Sequence, residues 1–160
     1  MYSVSKEPKD SGFKIIAVNR KARHEFEFID TFEVGIALTG TEVKSLRDGQ
    51  VSLAESYATI RDGELFIKGM NIPQYAAGSY LNHEPTRTRK LLAHRREIKR
   101  LGQLIAEKRL TLVPTRIYFK RGLVKLEIAL ARGRMKYEKR EAIKTREDKK
   151  RMDREMLRRR

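Results

Sequence analysis

Thr111-Leu-Val-Pro-Thr-Arg-Ile-Tyr-Phe-Lys-Arg-Gly-Leu-Val-Lys-Leu-Glu-Ile-Ala-Leu-Ala131 contains two β-prone segments separated by the turn Lys120-Arg-Gly122. In the second segment apolar residues recur at every second position, and Lys125 and Glu127 point to the opposite face. A period of two is the spacing of a strand with one buried face. The pattern predicts a β-hairpin with strands over 111–119 and 123–131.

Residues 51–70 predict a second hairpin. Strands over 51–60 and 64–70 flank Arg61-Asp-Gly63, and Asp-Gly suits the primed turns that join antiparallel strands. Within 64–70, apolar and other residues alternate as expected for a strand of a small barrel. Upstream, β-prone runs predict further strands over 13–18, 25–29 and 31–38.

A short helix is predicted over 39–49. Thr39 and Glu42 have the spacing of a capping box, and Gly49 suits the position just after a helix end. Val43 and Leu46 would then face the core.

The longest helix is predicted from His83 to about Arg109, with Gly102 marking a kink or a boundary between two shorter helices. Six or seven short strands together with two or three helices predict a mainly β fold with α. The expected architecture is an OB-like antiparallel β-barrel with flanking helices.

The chain is strongly basic, with a net charge of +16 and an isoelectric point near 10.3. Residues 132–160 hold 14 basic and 6 acidic side chains, so this end carries +8 and the remainder carries the other +8. Such charge favours nucleic acid as the partner over an anionic membrane surface. We predict a flexible arm over 1–12, an RNA-binding barrel over 13–132 and a basic tail over 133–160.

The tail has good helix formers but few apolar side chains to bury. Because burial cannot offset its ordering entropy, the tail is predicted to be intrinsically disordered, or only partly helical, when free. A polyanion would screen its cations and allow the helix to form.

Composition also restricts location and assembly. There is no cysteine, no run of 18 apolar residues and no signal-peptide core, which predicts a cytoplasmic protein that is neither exported nor inserted in a membrane. No patterned apolar face is left over for a dimer, so a monomer is expected.

Neither an enzyme nor a cofactor is predicted. The three histidines lack the spacing of a metal site, and the sequence has no glycine-rich nucleotide loop or nucleophile elbow. His94 is predicted to be a hydrogen-bonded core residue on the apolar face of the long helix. His24 ends the basic hexad Asn19-Arg-Lys-Ala-Arg-His24, for which a solvated loop is favoured over an RNA contact.

Two residues leave alternatives open. Glu33 is either an ion-pair partner of Arg20 or Lys21, or an acceptor for the donors of RNA bases and 2′-hydroxyls. Tyr137, in a run of cations, either stacks on a base or anchors the tail to the barrel.

Four motifs occur in the order Asn19-Arg-Lys-Ala-x-His24, Gly40-Thr-Glu-Val-Lys-Ser-Leu-Arg47, Pro85-Thr-Arg-Thr-Arg-Lys-Leu-Leu92 and Gly133-Arg-Met-Lys-Tyr-Glu-Lys-Arg140. In this order they resemble the bacterial SsrA-binding protein family, also called small protein B, over residues 13–140. The resemblance implies an OB-like barrel that binds the tRNA-like domain of transfer-messenger RNA. It also implies delivery of that RNA, with elongation factor Tu, to stalled ribosomes, where the tail becomes helical in the empty decoding centre and messenger channel.

The resemblance implies the residues that contact RNA. Those on the body are Asn19, Arg20, Lys21, His24, Glu33, Leu92 and Lys125. Those on the tail are Arg132, Arg134, Lys136, Tyr137, Lys139 and Arg140, although Met135 replaces a family lysine. The alternative is a constitutive basic ribosomal protein, which would be near-stoichiometric in washed ribosomes; a small nuclease is a more distant one.

Overall fold

The computed structural model of the chain describes residues 12–78, 82–134 and 136–159, without the side chains of 136–139. The predicted arm therefore lies outside the described residues except for Gly12. Within the described ranges, the strands are β1 (Phe13–Val18), β2 (Phe26–Ile36), β3 (Tyr57–Arg61), β4 (Glu64–Lys68), β5 (Arg89–Leu92), β6 (Thr111–Lys120) and β7 (Leu123–Gly133). The helices are α1 (Arg20–Glu25), α2 (Gly40–Arg47), α3 (Arg95–Lys108) and α4 (Lys136–Arg158).

The strands form one antiparallel sheet in the order β1-β6-β3-β4-β5-β2-β7. Strand β7 also pairs with β6, so the sheet closes on itself. The predicted OB-like barrel is confirmed, and so are both hairpins, β3–β4 and β6–β7. Closure leaves β7 with a partner on each side, so β7 has no exposed edge, whereas β1 pairs only with β6 among the described strands.

Alternating residues of each strand fill the barrel. Leu126, Ile128 and Leu130 of β7 are at most 2% exposed and pack with Leu65 and Ile67 of β4 in one core. These are the positions at which the sequence has a period of two. The opposite face of β6 and β7 points outward, and its two ends differ in what covers it.

Helix α1 covers one end of that outer face. Ala22 of α1 packs on Val113, Ala129 and Ala131 in a small second apolar cluster. Small side chains on β7 let the helix approach the sheet closely. The other end of the outer face, from Lys125 to Glu127, has no helix over it among the described residues.

A buried ion pair joins α2 to β5. The Glu42 carboxylate accepts hydrogen bonds from Arg89 and Arg87, and one of its oxygens caps the Thr39 N–H at 2.9 Å. The Arg89 guanidinium also donates to the Met70 and Pro85 carbonyl oxygens, at 2.8 and 2.9 Å. Because both charges are 0% exposed, these additional bonds are what make their burial tolerable.

The predicted long helix from His83 is wrong in its first half. Residues Arg89–Leu92 form β5, and α3 begins only at Arg95 with His94 as its N-cap. The ring needs a strand between β4 and β2, and this tertiary pairing outweighs local helix propensity.

His94 is exposed and is not the predicted core histidine. His83 is buried instead, between the Thr41 hydroxyl at 2.9 Å and the Ile72 carbonyl oxygen at 2.8 Å.

Smaller corrections concern the first half of the chain. The hexad expected to be a solvated loop is α1. The two strands expected over 25–29 and 31–38 are the single strand β2, irregular between Phe28 and Asp30. Strand β3 starts at Tyr57, while the residues before it form only an isolated bridge, Ser52 to Asn71.

The predicted disorder of the tail is also wrong, since α4 is a continuous helix of 23 residues. Its sequence has no proline or glycine, and at this length summed helix propensity overcomes the cost of nucleation. An Arg151–Asp148 pair at 3.3 Å adds a contact one turn apart. Among the described helices none has the length and apolar content that crossing a membrane requires.

Candidate nucleic-acid interface

The open end of the outer face brings two predicted residues into one line across four strands. Gly35 of β2 is the register partner of both Leu92 and Lys125, and Lys125 is in turn the partner of Tyr118. A Cβ at Gly35 would lie 3.2 Å from the Leu92 Cβ, so glycine is the residue that lets Leu92 stay in this place. We call Glu33, Gly35, Leu92, Tyr118, Lys120 and Lys125 the open face.

Glu33 lies two residues before Gly35 and on the same side of β2. Its carboxylate accepts a hydrogen bond from the Tyr118 hydroxyl and one from Lys120 Nζ at 3.3 Å. The expected pairing with Arg20 or Lys21 is wrong, because Lys21 binds Glu55 at 2.6 Å and Glu25 at 3.9 Å.

Opposing effects set the ionisation of this pair. Partial burial by itself raises the pKa of Glu33, but hydrogen bonds from Tyr118 and Lys120 and the charge of Lys125 outweigh it and lower that pKa. Burial and the adjacent Glu33 raise the pKa of Tyr118 far above its usual value. Near neutral pH Glu33 is therefore a carboxylate acceptor, and Tyr118 keeps the proton that it donates.

Aromatic and cationic contacts hold Tyr118 in position. Its ring lies 4.7 Å from that of Phe13, centroid to centroid, and the Arg116 guanidinium carbon is 5.2 Å from the Tyr118 centroid. Arg116 is itself bound to Glu127 at 3.1 Å. A tyrosine packed in this way has little freedom to turn its hydroxyl away from Glu33.

Asn19 is placed differently from the expectation of an RNA contact. It is 5% exposed, and its amide nitrogen donates to the Leu53 and Pro114 carbonyl oxygens at 3.2 and 2.9 Å. Its amide oxygen accepts from the Ala22 N–H at 3.2 Å and caps α1. Asn19 thus fixes α1 on the barrel, and the side chains that reach solvent are those of the helix.

Those exposed side chains include the predicted Arg20, Lys21 and His24. Since α1 sits over Ala129 and Ala131, its cations come next along β7 after the open face. The structure therefore places six of the seven predicted body residues on one side of the barrel, and the seventh, Asn19, beneath α1.

The tail begins beside α1. Arg132 pairs with Glu27 at 2.9 Å, and the Arg134 N–H donates to the Glu25 carbonyl oxygen at 2.9 Å. Farther on, Arg146 Nη1 lies 3.3 Å from His24 Nε2. Arg140 is exposed, whereas the side chains of Lys136, Tyr137 and Lys139, and all of Met135, lie outside the described residues.

Sequence analysis missed Tyr118, Lys120 and Arg116. The available signal was the alternation in 111–119, whose polar positions share a face with Lys125. In the part of the chain that the structure describes, no three His, Asp or Glu side chains converge as metal ligands.

The closed ring of strands, the cationic helix α1 on its outer face and the cationic helix that leaves it define a small basic OB-like barrel protein. The chain belongs to the SmpB family, because the family model described as SmpB protein matches residues 16–158.

Relatives agree with that assignment. The chain is 52% identical over 145 residues to the SsrA-binding protein of Corynebacterium jeikeium strain K411, covering 91% of this chain and 79% of that protein. It is 51% identical over 151 residues to the SsrA-binding protein of Mycolicibacterium vanbaalenii, covering 94% and 92%. A solved structure described as "tmRNA-SmpB: a journey to the center of the bacterial ribosome" superposes with a TM-score of 0.64 at 47% identity, covering 79% of this chain and 93% of that one.

Proposed function

We propose that this protein is the RNA-binding adaptor of trans-translation. It binds the tRNA-like domain of transfer-messenger RNA, delivers that RNA to stalled ribosomes and so leads to tagging of the nascent peptide. The observation that carries the proposal is the grouping of the family's RNA-binding positions on one side of the barrel, in a chain whose relatives are named SsrA-binding proteins.

The open face suits a folded RNA. Lys125 and Lys120 offer cations to phosphates, exposed Leu92 offers an apolar contact, and the Glu33 carboxylate offers an acceptor. RNA is recognised by its shape, its 2′-hydroxyls and its unstacked bases, which are donors as well as anions. The Glu33 carboxylate can accept a hydrogen bond from a hydroxyl or amino group of the RNA, but it repels a phosphate. It therefore adds selectivity to a surface that would otherwise attract any phosphate.

The cations of α1 and the tail complete the assignment. Arg20, Lys21 and His24 extend the transfer-messenger RNA contact beyond the open face. In the tail, Arg132, Arg134, Lys136, Tyr137, Lys139 and Arg140 meet the ribosome, and α4 probes the decoding centre and messenger channel. A helix of 23 residues is about 35 Å long, enough to follow a channel walled by RNA.

The remaining partners and the location follow from this role. Elongation factor Tu accompanies the RNA during delivery, and the protein acts in the cytoplasm as a monomer without a cofactor. We also propose that it performs no catalysis of its own, because binding and positioning of RNA account for the proposed role.

Truncation after Gly133 tests the division of labour. The shortened protein should keep nearly full affinity for the tRNA-like domain in a filter-binding assay but should lose tagging on ribosomes stalled without message. The complementary variant is Glu33→Ala in the full-length chain. This variant should bind the RNA more weakly, although the substitution removes a negative charge. Full tagging by the truncated protein, or tighter RNA binding by Glu33→Ala, would contradict the proposal.

A further inference from the structure

A groove with a cavity volume of about 720 Å³ lies between the β3–β4 turn, the end of β5 and the first half of α3. Its size falls in the range of roughly 300–1,000 Å³ found for small-molecule sites. Its apolar floor is formed by Leu65, Leu91 and Ile98, which are at most 7% exposed. We call it the β5–α3 groove. None of the residues predicted from the sequence to bind RNA lines it except Leu92.

We propose that the β5–α3 groove binds one unstacked nucleotide of the RNA that occupies the open face. This inference rests on the proposed RNA-binding function and adds a second recognition element to it. Three observations carry it: the charges around the groove, its continuity with the open face, and a glycine that keeps it open.

Charges of both signs surround the apolar floor. The lining includes three cations, Lys90, Arg95 and Lys99, and two acids, Asp62 and Glu64. Lys90 binds Oε1 of Glu64 at 3.0 Å, which leaves Oε2 without a partner among the described residues. A nucleotide matches these three features. The face of its base can lie on the apolar floor, its amino groups can donate to a carboxylate, and its phosphate can bind the cations.

Leu92 connects the groove to the open face. It lines the groove, its side chain is 52% exposed, and its register partner Gly35 is also the partner of Lys125. A strand of RNA that contacts Lys125 therefore needs to cross only two strands to reach the groove. An apolar peptide would contact the floor but would leave the cations Arg95 and Lys99 without a partner of opposite charge.

Gly102 keeps the groove open. It lies inside α3, where glycine lowers helix stability relative to alanine. A Cβ at this position would meet only the Ile60 Cδ1, at an ordinary 3.7 Å, so packing does not demand glycine. A long side chain at Gly102 would extend into the groove without changing any charge.

The test uses the full-length protein with nitrogen-labelled backbone amides and methyl-labelled isoleucine and leucine, so that the Lys125 amide and the groove methyls are both observed, titrated with single-stranded hexa-adenylate and with the tRNA-like domain. Resonances of Leu91 and Ile98 should shift with both RNAs. Gly102→Met should abolish these shifts and weaken binding of the tRNA-like domain about tenfold, whereas Gly102→Ala should change neither. Thermal unfolding should show that both variants are folded at least as stably as the parent.

Two lysines of the same helix, one in the groove and one outside it, provide a second measurement. Lys99→Ala should weaken hexa-adenylate binding severalfold, and Lys108→Ala, at the far end of α3, should not. The inference would be overturned if Gly102→Met bound RNA as tightly as the parent. It would also be overturned if RNA shifted the Lys125 resonance but not the methyl resonances of Leu91 and Ile98. A third contrary result would be that an apolar peptide shifts these methyl resonances and RNA does not. If neither Lys125 nor the groove responds to RNA, the proposed function itself fails.

Discussion

The Tyr118 hydroxyl donates a hydrogen bond to the Glu33 carboxylate, although the two residues are 85 positions apart and lie on strands separated by β7. The bond therefore reaches over the strand that carries Lys125. It orients the Glu33 carboxylate within a basic surface and helps to keep it ionised. Removing the Tyr118 hydroxyl therefore measures what this hydrogen bond contributes.

Tyr118→Phe should lower the free energy of unfolding by about 1 kcal/mol, the contribution of a partly exposed hydrogen bond to a charged group. The folded pKa of Glu33 is lowered, so this stabilisation is fully present above the usual pKa of 4.5 and is lost as pH falls through the folded value. Urea unfolding of both proteins at pH 7 and at pH 3 should therefore give a larger difference at pH 7 than at pH 3. In a Glu33→Gln background the substitution should cost much less, and equal costs in both backgrounds would show that the bond contributes nothing.

Glu42→Gln should destabilise the protein by about 3 kcal/mol or more, because it leaves the buried Arg89 charge without its counter-ion. Burial raises the pKa of Glu42, but bonds from Arg87, Thr39 and Arg89 outweigh it and lower that pKa. The stabilisation is thus present above pH 4.5 and lost as pH falls below it. Chemical denaturation across pH 3–7 measures the difference.

Glu27→Gln is the matched control for that charge change. Its partner Arg132 is 2.9 Å away, but the two side chains are 56% and 63% exposed. An exposed pair contributes at most about 1 kcal/mol, so this variant should unfold almost like the parent. Equal costs for the two variants would argue against a special role of burial at Glu42.

Asn19→Ala should cost about 2 kcal/mol of stability, since it removes the α1 cap and the hydrogen bonds that the Asn19 amide donates to the Leu53 and Pro114 carbonyl oxygens. RNA affinity should fall together with stability, because α1 would no longer be held on β7. Parallel measurement of the unfolding midpoint and RNA affinity decides the role of this residue. Weaker binding with an unchanged midpoint would instead mean that Asn19 contacts RNA directly.

Thr145→Pro should break α4 near its middle, since proline inside a helix costs about 3 kcal/mol. Circular dichroism at 222 nm should report the lost helix, while the barrel's unfolding transition and the affinity for the tRNA-like domain stay unchanged. Thr145→Ala should preserve or increase the helix signal. An identical spectrum for the proline variant would show that the free tail is not helical.

The alternation of apolar residues in 123–131 predicted the fold well, because burial of one face enforces a period of two wherever a strand covers a core. The capping box at Thr39 and Glu42 likewise predicted α2, since both of its bonds are local. Features determined by neighbours in sequence were thus predictable.

Arg89 shows what was not predictable. Nothing in Pro85-Thr-Arg-Thr-Arg89 distinguishes a buried, fully bonded arginine from an exposed one, because its partners Glu42 and Met70 are distant in sequence. The same holds for β5, which is a strand only because β2 and β4 flank it. Asn19 was singled out through the resemblance, but its buried position depends on Leu53 and Pro114, which only the folded chain brings together.

Strand β7 has one further consequence. It carries Lys125 near its start and ends at Gly133, so Lys125 lies eight residues of strand, or about 26 Å, from the residue at which the tail begins. Two sites joined by a flexible linker can take many relative positions, whereas a strand paired on both sides holds its two ends at a set separation. When Lys125 has bound RNA, the start of the tail is therefore held at a fixed distance from that RNA, and this distance contributes to the effective concentration of the tail at its own target.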